Sequence, residues 1–436
     1  MREPLNFKLI LWFYLPLIFM TELHQISHSV VHAFLARLAD PTQVLAAFSI
    51  AYVFNTTISS VNQVSIQGGI SFIVDRASFW QVLRFYGIAC VFLFIAIESV
   101  ALTPLGDILF GDWMGASAAV VKQARQTSAI MALWTFPILV RNVTYALAMV
   151  CRRTSVITNA TVIRLASLGG FLFILPFWLE GAAVGGAALV SCMTVESVYM
   201  VIVSRPLLAG LEKKKEKPPA FFEIWRFSWP LMITQSSEGG VPLAINFFLG
   251  RLANPDLALA GFGVVMGLVR TILSPLRNLV QTAQTLVRSR EELKVMLQFT
   301  LAAISFFVAV VLVLFFSPLR SVILGKVMGL NQELSQYAAP GVKLTFLVAI
   351  FWGYSGFLRG VLSAMRRTGA IAVTVLIRFV VAVLVCSVTI FLPELNGTIV
   401  GVLAVVSAFA SESVFLAVRL SRHFKSEKPL FSHLQA

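Results

Sequence analysis

Residues 12–48 read WFYLPLIFMTELHQISHSVVHAFLARLADPTQVLAAF, an apolar stretch that carries one glutamate and three histidines in its interior. Residues 226–262 read RFSWPLMITQSSEGGVPLAINFFLGRLANPDLALAGF, and the two stretches match at a constant offset of 214 positions. The match places Pro16 on Pro230, for example. A repeat of this length is too long for a solenoid, so it indicates a duplicated half-protein.

The composition is typical of a membrane protein. The 436 residues are 58% hydrophobic and 12% charged, which leaves too few charges to cover the surface of a soluble domain. A spanning helix needs about 20 apolar residues, and about twelve such runs can be placed along the chain. The first run is too long for the core of a signal peptide, so we predict that it is a true first helix.

The net charge of +14 follows membrane topology rather than nucleic-acid binding. Basic residues collect in alternate loops, for example at 205–217 and 288–294, and the intervening loops carry acids such as Asp107 and Glu180. This positive-inside pattern places both termini in the cytoplasm, for a protein of the plasma (bacterial inner) membrane. The four cysteines lack ligand spacing, and we expect no disulfide, metal or cofactor.

The duplication continues to the end of both halves. Residues 151–154, CRRT, match residues 365–368, MRRT, at the same offset of 214. An even number of helices in each half gives both repeats the same orientation in the membrane. We place the helices near residues 9–38, 43–73, 80–104, 118–149, 155–178, 182–204, 222–252, 257–287, 296–318, 334–364, 369–392 and 397–419.

We therefore predict an all-α integral membrane protein with twelve transmembrane helices. The helices form two six-helix lobes, residues 1–206 and 220–422, related by a pseudo-two-fold axis along the membrane normal. A basic cytoplasmic linker at 207–219 separates the lobes, because its lysine run and paired prolines cannot continue a helix. Residues 423–436 form a cytoplasmic tail. We expect a monomer in the lipid bilayer, with no nucleic-acid partner.

Short motifs of the second half resemble a known transporter family. They are FSWPL at 227–231, MRRT at 365–368 followed by Arg378, and SESV at 411–414. With the two six-helix halves and the basic linker, they resemble the MATE-like fold of the multidrug/oligosaccharidyl-lipid/polysaccharide (MOP) exporter superfamily, and within it the progressive ankylosis (ANK) transporter family. The resemblance implies a transporter of organic or phosphorylated anions. Drug and cation exporters of the superfamily usually rely on an acid in helix 1, where this chain has Glu22.

The histidines of the first helix form a polar stripe. His24, His28 and His32 are spaced four residues apart and share one helix face. Such a run is compatible with metal binding, but the second repeat replaces the three with a glutamate, a proline and an asparagine. We therefore predict no metal site and assign proton coupling to this stripe together with Glu22 and Glu238. Packing between helices is the alternative role for the histidines.

Intramembrane cations form the predicted substrate site. An arginine that faces lipid costs about 3 kcal/mol or more, so these cations must face protein or water. Cations that occur at a given repeat position in only one half are the better substrate candidates, because a bound ligand does not have to follow the duplication. Ion pairs with Glu22 or Glu238 are the alternative for the arginines of the eighth helix. The predicted substrate-binding residues are Arg141, Arg270, Arg277, Lys343, Arg359, Asn62, Gln63, Gln67, Asn246 and Gln281.

Two other arginines obey the repeat and have candidate partners. Arg164 matches Arg378 at an offset of 214, and Glu196 matches Glu412 at an offset of 216. Each arginine lies in one predicted helix and each glutamate lies in the middle of the next. Because buried charges need partners, we predict the structural ion pairs Arg164–Glu196 and Arg378–Glu412.

The sequence predicts an alternating-access secondary transporter, an exporter, that moves a small organic or phosphorylated anion through a cationic central cavity. Arginine forks would bind the anion, and H+ or Na+ would be the coupling ion. The chain has no Walker motif, and we do not expect an enzyme. A lipid-linked precursor flippase and a multidrug exporter of the same superfamily are the alternatives. A membrane-embedded metalloenzyme would need a complete metal site, which one histidine stripe does not supply.

Overall fold

Helices and the turns between them make up the described part of the computed structural model, which covers residues 5–113, 116–213, 218–236, 240–330 and 332–425. The first half contains α1 (Phe7–Leu35), α2 (Pro41–Ser59), α3 (Val64–Phe72), α4 (Arg76–Leu102), α5 (Ala118–Ala132), α6 (Thr135–Val150), α7 (Ser155–Ile174) and α8 (Ala182–Gly210). The second half contains α9 (Phe221–Ser236), α10 (Gly240–Leu249), α11 (Pro255–Leu273), α12 (Leu279–Leu286), α13 (Arg290–Phe316), α14 (Leu319–Ser321), α15 (Gln332–Ala364), α16 (Gly369–Cys386), α17 (Val388–Phe391) and α18 (Gly397–Lys425).

Ten helical segments of the described chain are long and apolar enough to cross a membrane. The other two predicted spans are the first helix of each half. α1 has 29 residues, and a helix of that length measures about 43 Å. Its counterpart consists of α9 and α10, on either side of residues 237–239. The ten spans are Gln43–Phe72, Arg76–Leu102, Ala118–Val150, Ser155–Phe177, Ala182–Gly210, Leu257–Leu286, Arg290–Phe316, Gln332–Ala364, Gly369–Phe391 and Gly397–Arg422.

The chain divides into two compact units. The first unit is Leu15–Ser236, and the second unit is Met1–Tyr14 together with Ser237–Ala436. The predicted lobes at 1–206 and 220–422 stay a prediction. The units differ from them at the first helix of each half, because α9 belongs to the first unit and the start of α1 belongs to the second.

Buried hydrogen bonds hold these two first-helix segments in their units. In the first unit the hydroxyls of Tyr86 on α4 and Ser228 on α9 lie 2.6 Å apart. In the second unit the Tyr14 hydroxyl of α1 donates to the carbonyl of Pro275 at 2.9 Å. Tyr14 and Ser228 are matching positions of the repeat, 214 residues apart. The residue at the same position of each repeat therefore forms the buried hydrogen bond in both segments.

The second helix of each half breaks at matching positions. A short 3₁₀ turn at Ser60–Gln63 separates α2 from α3, and another at Ser274–Asn278 separates α11 from α12. Such a turn disturbs the regular helical hydrogen bonding, and other groups take over. In the first unit Asn62 donates to the Thr135 carbonyl at 3.0 Å, and Asn142 donates to the Asn62 carbonyl at 3.0 Å. These hydrogen bonds thus connect the break between α2 and α3 to α6.

The repeated motif at residues 151–154 and 365–368 ends α6 and α15. Its first arginine takes the left-handed conformation in both copies, with φ of 55° at Arg152 and 54° at Arg366. The next arginine donates its backbone N–H across the turn, Arg153 to the Ala148 carbonyl and Arg367 to the Leu362 carbonyl, both at 2.8 Å. This is the Schellman pattern of a helix end. The motif therefore has a structural role that is the same in both units.

Candidate functional site: two buried arginine–glutamate clusters

Glu196 of α8 lies at the centre of a buried polar cluster in the first unit. The Tyr145 hydroxyl donates to Glu196 Oε1 at 2.6 Å, and Thr161 Oγ1 lies 3.5 Å from the same oxygen. Two guanidinium groups approach the other oxygen, Oε2. Arg141 Nη1 lies 3.4 Å from it and Arg164 Nη1 lies 3.9 Å from it. We call these five residues the first cluster.

Glu412 of α18 lies at the centre of a corresponding cluster in the second unit. Arg359 binds Glu412 Oε1 directly, with Nε and Nη2 each at 2.8 Å. Thr374 donates to the same oxygen at 2.7 Å, and Ser355 donates to Oε2 at 2.8 Å. Arg378 Nε lies 3.8 Å from Oε2. We call these five residues the second cluster.

Helix geometry explains how the sequence assembles each cluster. Arg141 and Tyr145 are four residues apart on α6, so both project from the same helix face towards α8. Ser355 and Arg359 have the same spacing on α15 and reach Glu412 in the same way. Burial makes pairing necessary, because an ionised group far from water needs an opposite charge or strong hydrogen bonds. The exposed fraction of the Glu412 side chain is 0%.

The predicted ion pairs and two predicted substrate residues occupy these clusters. Arg164 and Glu196, and likewise Arg378 and Glu412, lie within 4 Å of each other as the distances above show. Arg141 and Arg359, which we predicted to bind substrate, approach the same two carboxylates more closely. The structure therefore gives both residues a carboxylate partner. Their role in substrate binding stays a prediction.

The arginines of the eighth span lie outside both clusters. Arg270, at the end of α11, and Arg277, in the 3₁₀ turn, have exposed side chains. Both lie inside the apolar span Leu257–Leu286, Arg270 13 residues after its start and Arg277 nine residues before its end. An exposed arginine at such a depth is costly against lipid, so these side chains are expected to face water. Gln281, one turn after Arg277, is half-buried.

Solved structures identify the fold of the chain. A MOP superfamily transporter from Pyrococcus furiosus Vc1 (DSM3638), described with a reversed polarity of its binding pocket that suggests a different function, matches with a TM-score of 0.77 and 14% identity. The match covers 96% of this chain and 97% of that one. The eukaryotic MATE transporter AtDTX14 matches over 97% and 96% of the two chains, with a TM-score of 0.76 and 14% identity.

A MATE protein in complex with MaD3S matches over 96% of this chain and 97% of that chain, with a TM-score of 0.79 and 15% identity. This chain has the MATE fold. The predicted all-α, MATE-like membrane architecture is therefore confirmed. No family model and no curated protein matches the sequence, so the closeness to the ANK family stays a prediction.

The remaining polar residues of the predicted substrate site are spread over the MATE fold. Asn62 is buried and bonded to α6, and Gln63 and Gln67 are half-buried nearby in sequence. Asn246 is exposed on α10. Lys343 is half-buried on α15, with its Nζ 5.6 Å from the centre of the Phe316 ring. Asn62 thus has a structural role at the helix break, while the binding role of all of these residues stays a prediction.

The predicted proton-coupling stripe is described only in part. Glu22 is half-buried on α1, and the exposed His32 ring packs edge-on against Phe48 with the ring centres 5.3 Å apart. Glu238 and the side chains of His24 and His28 lie outside the described part of the chain. Among the described residues, no group of three or more histidine, cysteine or acidic side chains is arranged to hold a metal ion.

Sequence reasoning missed the uncharged members of the clusters. Tyr145, Thr161, Ser355 and Thr374 all hydrogen-bond to a cluster glutamate or lie within 3.5 Å of it. A signal for two of them was present in the repeat. At the offset of 214, Tyr145 falls on Arg359 and Arg141 falls on Ser355, so the guanidinium changes place with a neutral donor one helical turn away.

Proposed function

We propose that this chain is a secondary transporter that exports organic or phosphorylated anions by alternating access. The MATE fold supports transport, because the solved proteins that share it over nearly the whole chain are described as transporters. The reversed pocket polarity of the Pyrococcus furiosus protein supports the idea that this fold accepts binding sites of different charge. We further propose that the chain is related to the ANK family and that it couples transport to H+ or Na+.

The exposed arginines of the eighth span carry the proposal of an anionic substrate. Arg270 and Arg277 are seven residues apart in the span Leu257–Leu286, and both side chains are exposed. Guanidinium groups bind carboxylates and phosphates through paired hydrogen bonds, and they keep their charge at any physiological pH. Two exposed groups of this kind within a membrane span favour an anion over a cationic drug.

Transport by the purified protein in liposomes tests this proposal. We expect radiolabelled citrate, pyrophosphate or ATP to cross the membrane faster than in protein-free liposomes, and we expect a cationic dye not to do so. The same assay with an imposed H+ gradient or Na+ gradient identifies the coupling ion. Transport of the dye without transport of any of the three anions would contradict the proposal and favour a multidrug exporter.

A further inference from the structure

The two clusters bind their glutamates differently, although they occupy matching places in the repeat. In the second cluster a guanidinium group contacts Glu412 at 2.8 Å. In the first cluster the nearest guanidinium nitrogen, Arg141 Nη1, lies 3.4 Å from Glu196, and the close contact at 2.6 Å is made by the neutral phenol of Tyr145. The difference arises because Tyr145 of the first half and Arg359 of the second half occupy the same position of the repeat.

The two glutamates therefore differ in the contacts that the loss of their charge would break. Glu412 accepts short hydrogen bonds from Arg359, Ser355 and Thr374, and the loss of its charge would break a direct ion pair. Glu196 is held by a hydroxyl that donates to a carboxylate and equally accepts from a carboxylic acid. The Tyr145 contact is therefore compatible with both forms of Glu196, while the ion pairs with Arg141 and Arg164 exist only in the ionised form.

Among the described residues, the ionisable groups close to Glu196 lie on α2, α6, α7 and α8. On α5, which also packs against α8, Lys122 and Arg125 line a separate cavity that contains Asp107. The described groups close to Glu196 are Arg141 and Tyr145 on α6, Arg164 on α7, Cys192 on α8 itself, and Tyr52 on α2, which lies close to Arg164.

We propose that Glu196 binds a proton and that this protonation releases Arg141 to bind an anion. The inference rests on the proposed function. With Glu196 ionised, Arg141 compensates the carboxylate charge. With a proton on Glu196, the guanidinium groups of Arg141 and Arg164 both lose the carboxylate charge, and buried cations without a counter-charge are strongly unfavourable. A carboxylate or phosphate group of the substrate then takes the place of Glu196 as the partner of Arg141, so the proton and one negative charge are bound together and export of the anion carries the proton out with it.

Arg141 is the least deeply buried of the three charged residues of the first cluster. The exposed fraction of its side chain is 7%, against 2% for Arg164 and 1% for Glu196. Arg141 also keeps contacts that do not depend on Glu196, since its Nη2 donates to Asn142 Oδ1 at 3.1 Å and its guanidinium lies 5.5 Å from the centre of the Tyr145 ring. These contacts hold Arg141 in place while its ionic partner changes.

Infrared difference spectroscopy of the liposome-reconstituted protein tests proton binding without any substrate. On acidification we expect the C=O stretching band of a protonated, buried carboxylic acid in the wild type, and its loss in Glu196→Gln. The band should persist in Glu98→Gln and in Glu394→Gln, which remove a carboxyl group of α4 and an exposed carboxyl group of the loop before α18. A band that survives Glu196→Gln, or that disappears in one of these two controls, would overturn the proposal.

A transplant of the second cluster into the first provides an independent variant. Arg141→Ser with Tyr145→Arg copies the side chains of residues 355 and 359 and keeps two guanidinium groups beside one carboxylate. We expect this double variant to fold and to lose the band, because Glu196 then gains a direct guanidinium contact. A double variant that folds and retains the full band would contradict the assignment of Tyr145.

Anion addition tests the link between the proton and Arg141. At a fixed pH of partial protonation, saturating citrate or pyrophosphate should increase the band in the wild type and leave it unchanged in Arg141→Ser. No increase with either anion would overturn the coupling. A protein that shows the Glu196-dependent band but transports neither anion in liposomes would contradict the proposed function while it supports the proton site.

Discussion

Replacement of Glu412 by glutamine is expected to lower the free energy of unfolding by about 3–5 kcal/mol, the usual effect of removing one partner of a buried ion pair. Glu412 is fully buried and accepts hydrogen bonds of 2.8 Å or less from Arg359, Ser355 and Thr374. Glutamine keeps the shape but leaves the guanidinium groups of Arg359 and Arg378 without the carboxylate charge. The loss is therefore one of charge compensation rather than packing.

Thermal or denaturant unfolding in detergent micelles measures this effect. Glu394→Gln is the matched control, because Glu394 is exposed in the loop before α18, and we expect a change within about 0.5 kcal/mol for it. Glu196→Gln should destabilise less than Glu412→Gln, since the nearest guanidinium nitrogen of the described residues lies 3.4 Å from Glu196. Equal stability of the Glu412→Gln and Glu394→Gln proteins would show that the second cluster does not stabilise the fold.

Replacement of Gly69 by alanine is expected to lower the free energy of unfolding by about 1–3 kcal/mol, because the added methyl overpacks a close helix contact. A Cβ atom at Gly69 on α3 would lie 2.4 Å from the Cβ atom of Ala146 on α6. The second unit shows the opposite arrangement. Ala283 and Gly360 occupy the matching positions, and a Cβ atom at Gly360 would lie 2.8 Å from that of Ala283. Each contact therefore has room for one methyl group.

The compensating double variant makes this prediction specific. Gly69→Ala combined with Ala146→Gly reproduces the arrangement of the second unit and moves the glycine to the facing helix. Only Ile73 Cδ1, at 3.3 Å from the new Cβ atom, then remains as a tight contact. We expect unfolding measurements to show that most of the lost stability returns in the double variant. A double variant less stable than Gly69→Ala alone would contradict the one-methyl explanation.

The helices and the fold were largely predictable from the sequence. Apolar length and the repeat placed the fourth span at 118–149, and the structure has helix at 118–132 and 135–150. The prediction works because a spanning segment must be long, apolar and internally hydrogen-bonded. The repeat then gave Arg164 and Glu196 as candidates for a pair, and the structure places them 3.9 Å apart.

The details of the candidate site were less predictable. The repeat shows which positions are equivalent, but it does not show which neighbour a side chain reaches. Arg141 and Arg359 break the repeat, and this made them appear to be free for substrate. In the structure a shift of one helical turn brings each of them to the same kind of glutamate. The packing of α9 within the first unit was likewise absent from the sequence pattern, because apolar helices carry little information about their partners.

The exposed arginines of the eighth span carry the central claim, and transport by an Arg277→Ala variant tests it most directly. The transport rate is measured in liposomes that contain the wild type, Arg277→Ala or Arg419→Ala. The labelled substrate is pyrophosphate or citrate, whichever the wild type transports faster. Arg419 is also exposed, near the end of α18, where its guanidinium lies over the Phe415 ring. We expect Arg277→Ala to lose about tenfold or more in transport rate, since a charge-assisted hydrogen bond contributes about 1.5–3 kcal/mol, and Arg419→Ala to retain the wild-type rate. Equal anion transport by all three proteins would contradict the claim that the arginines of this span bind the substrate.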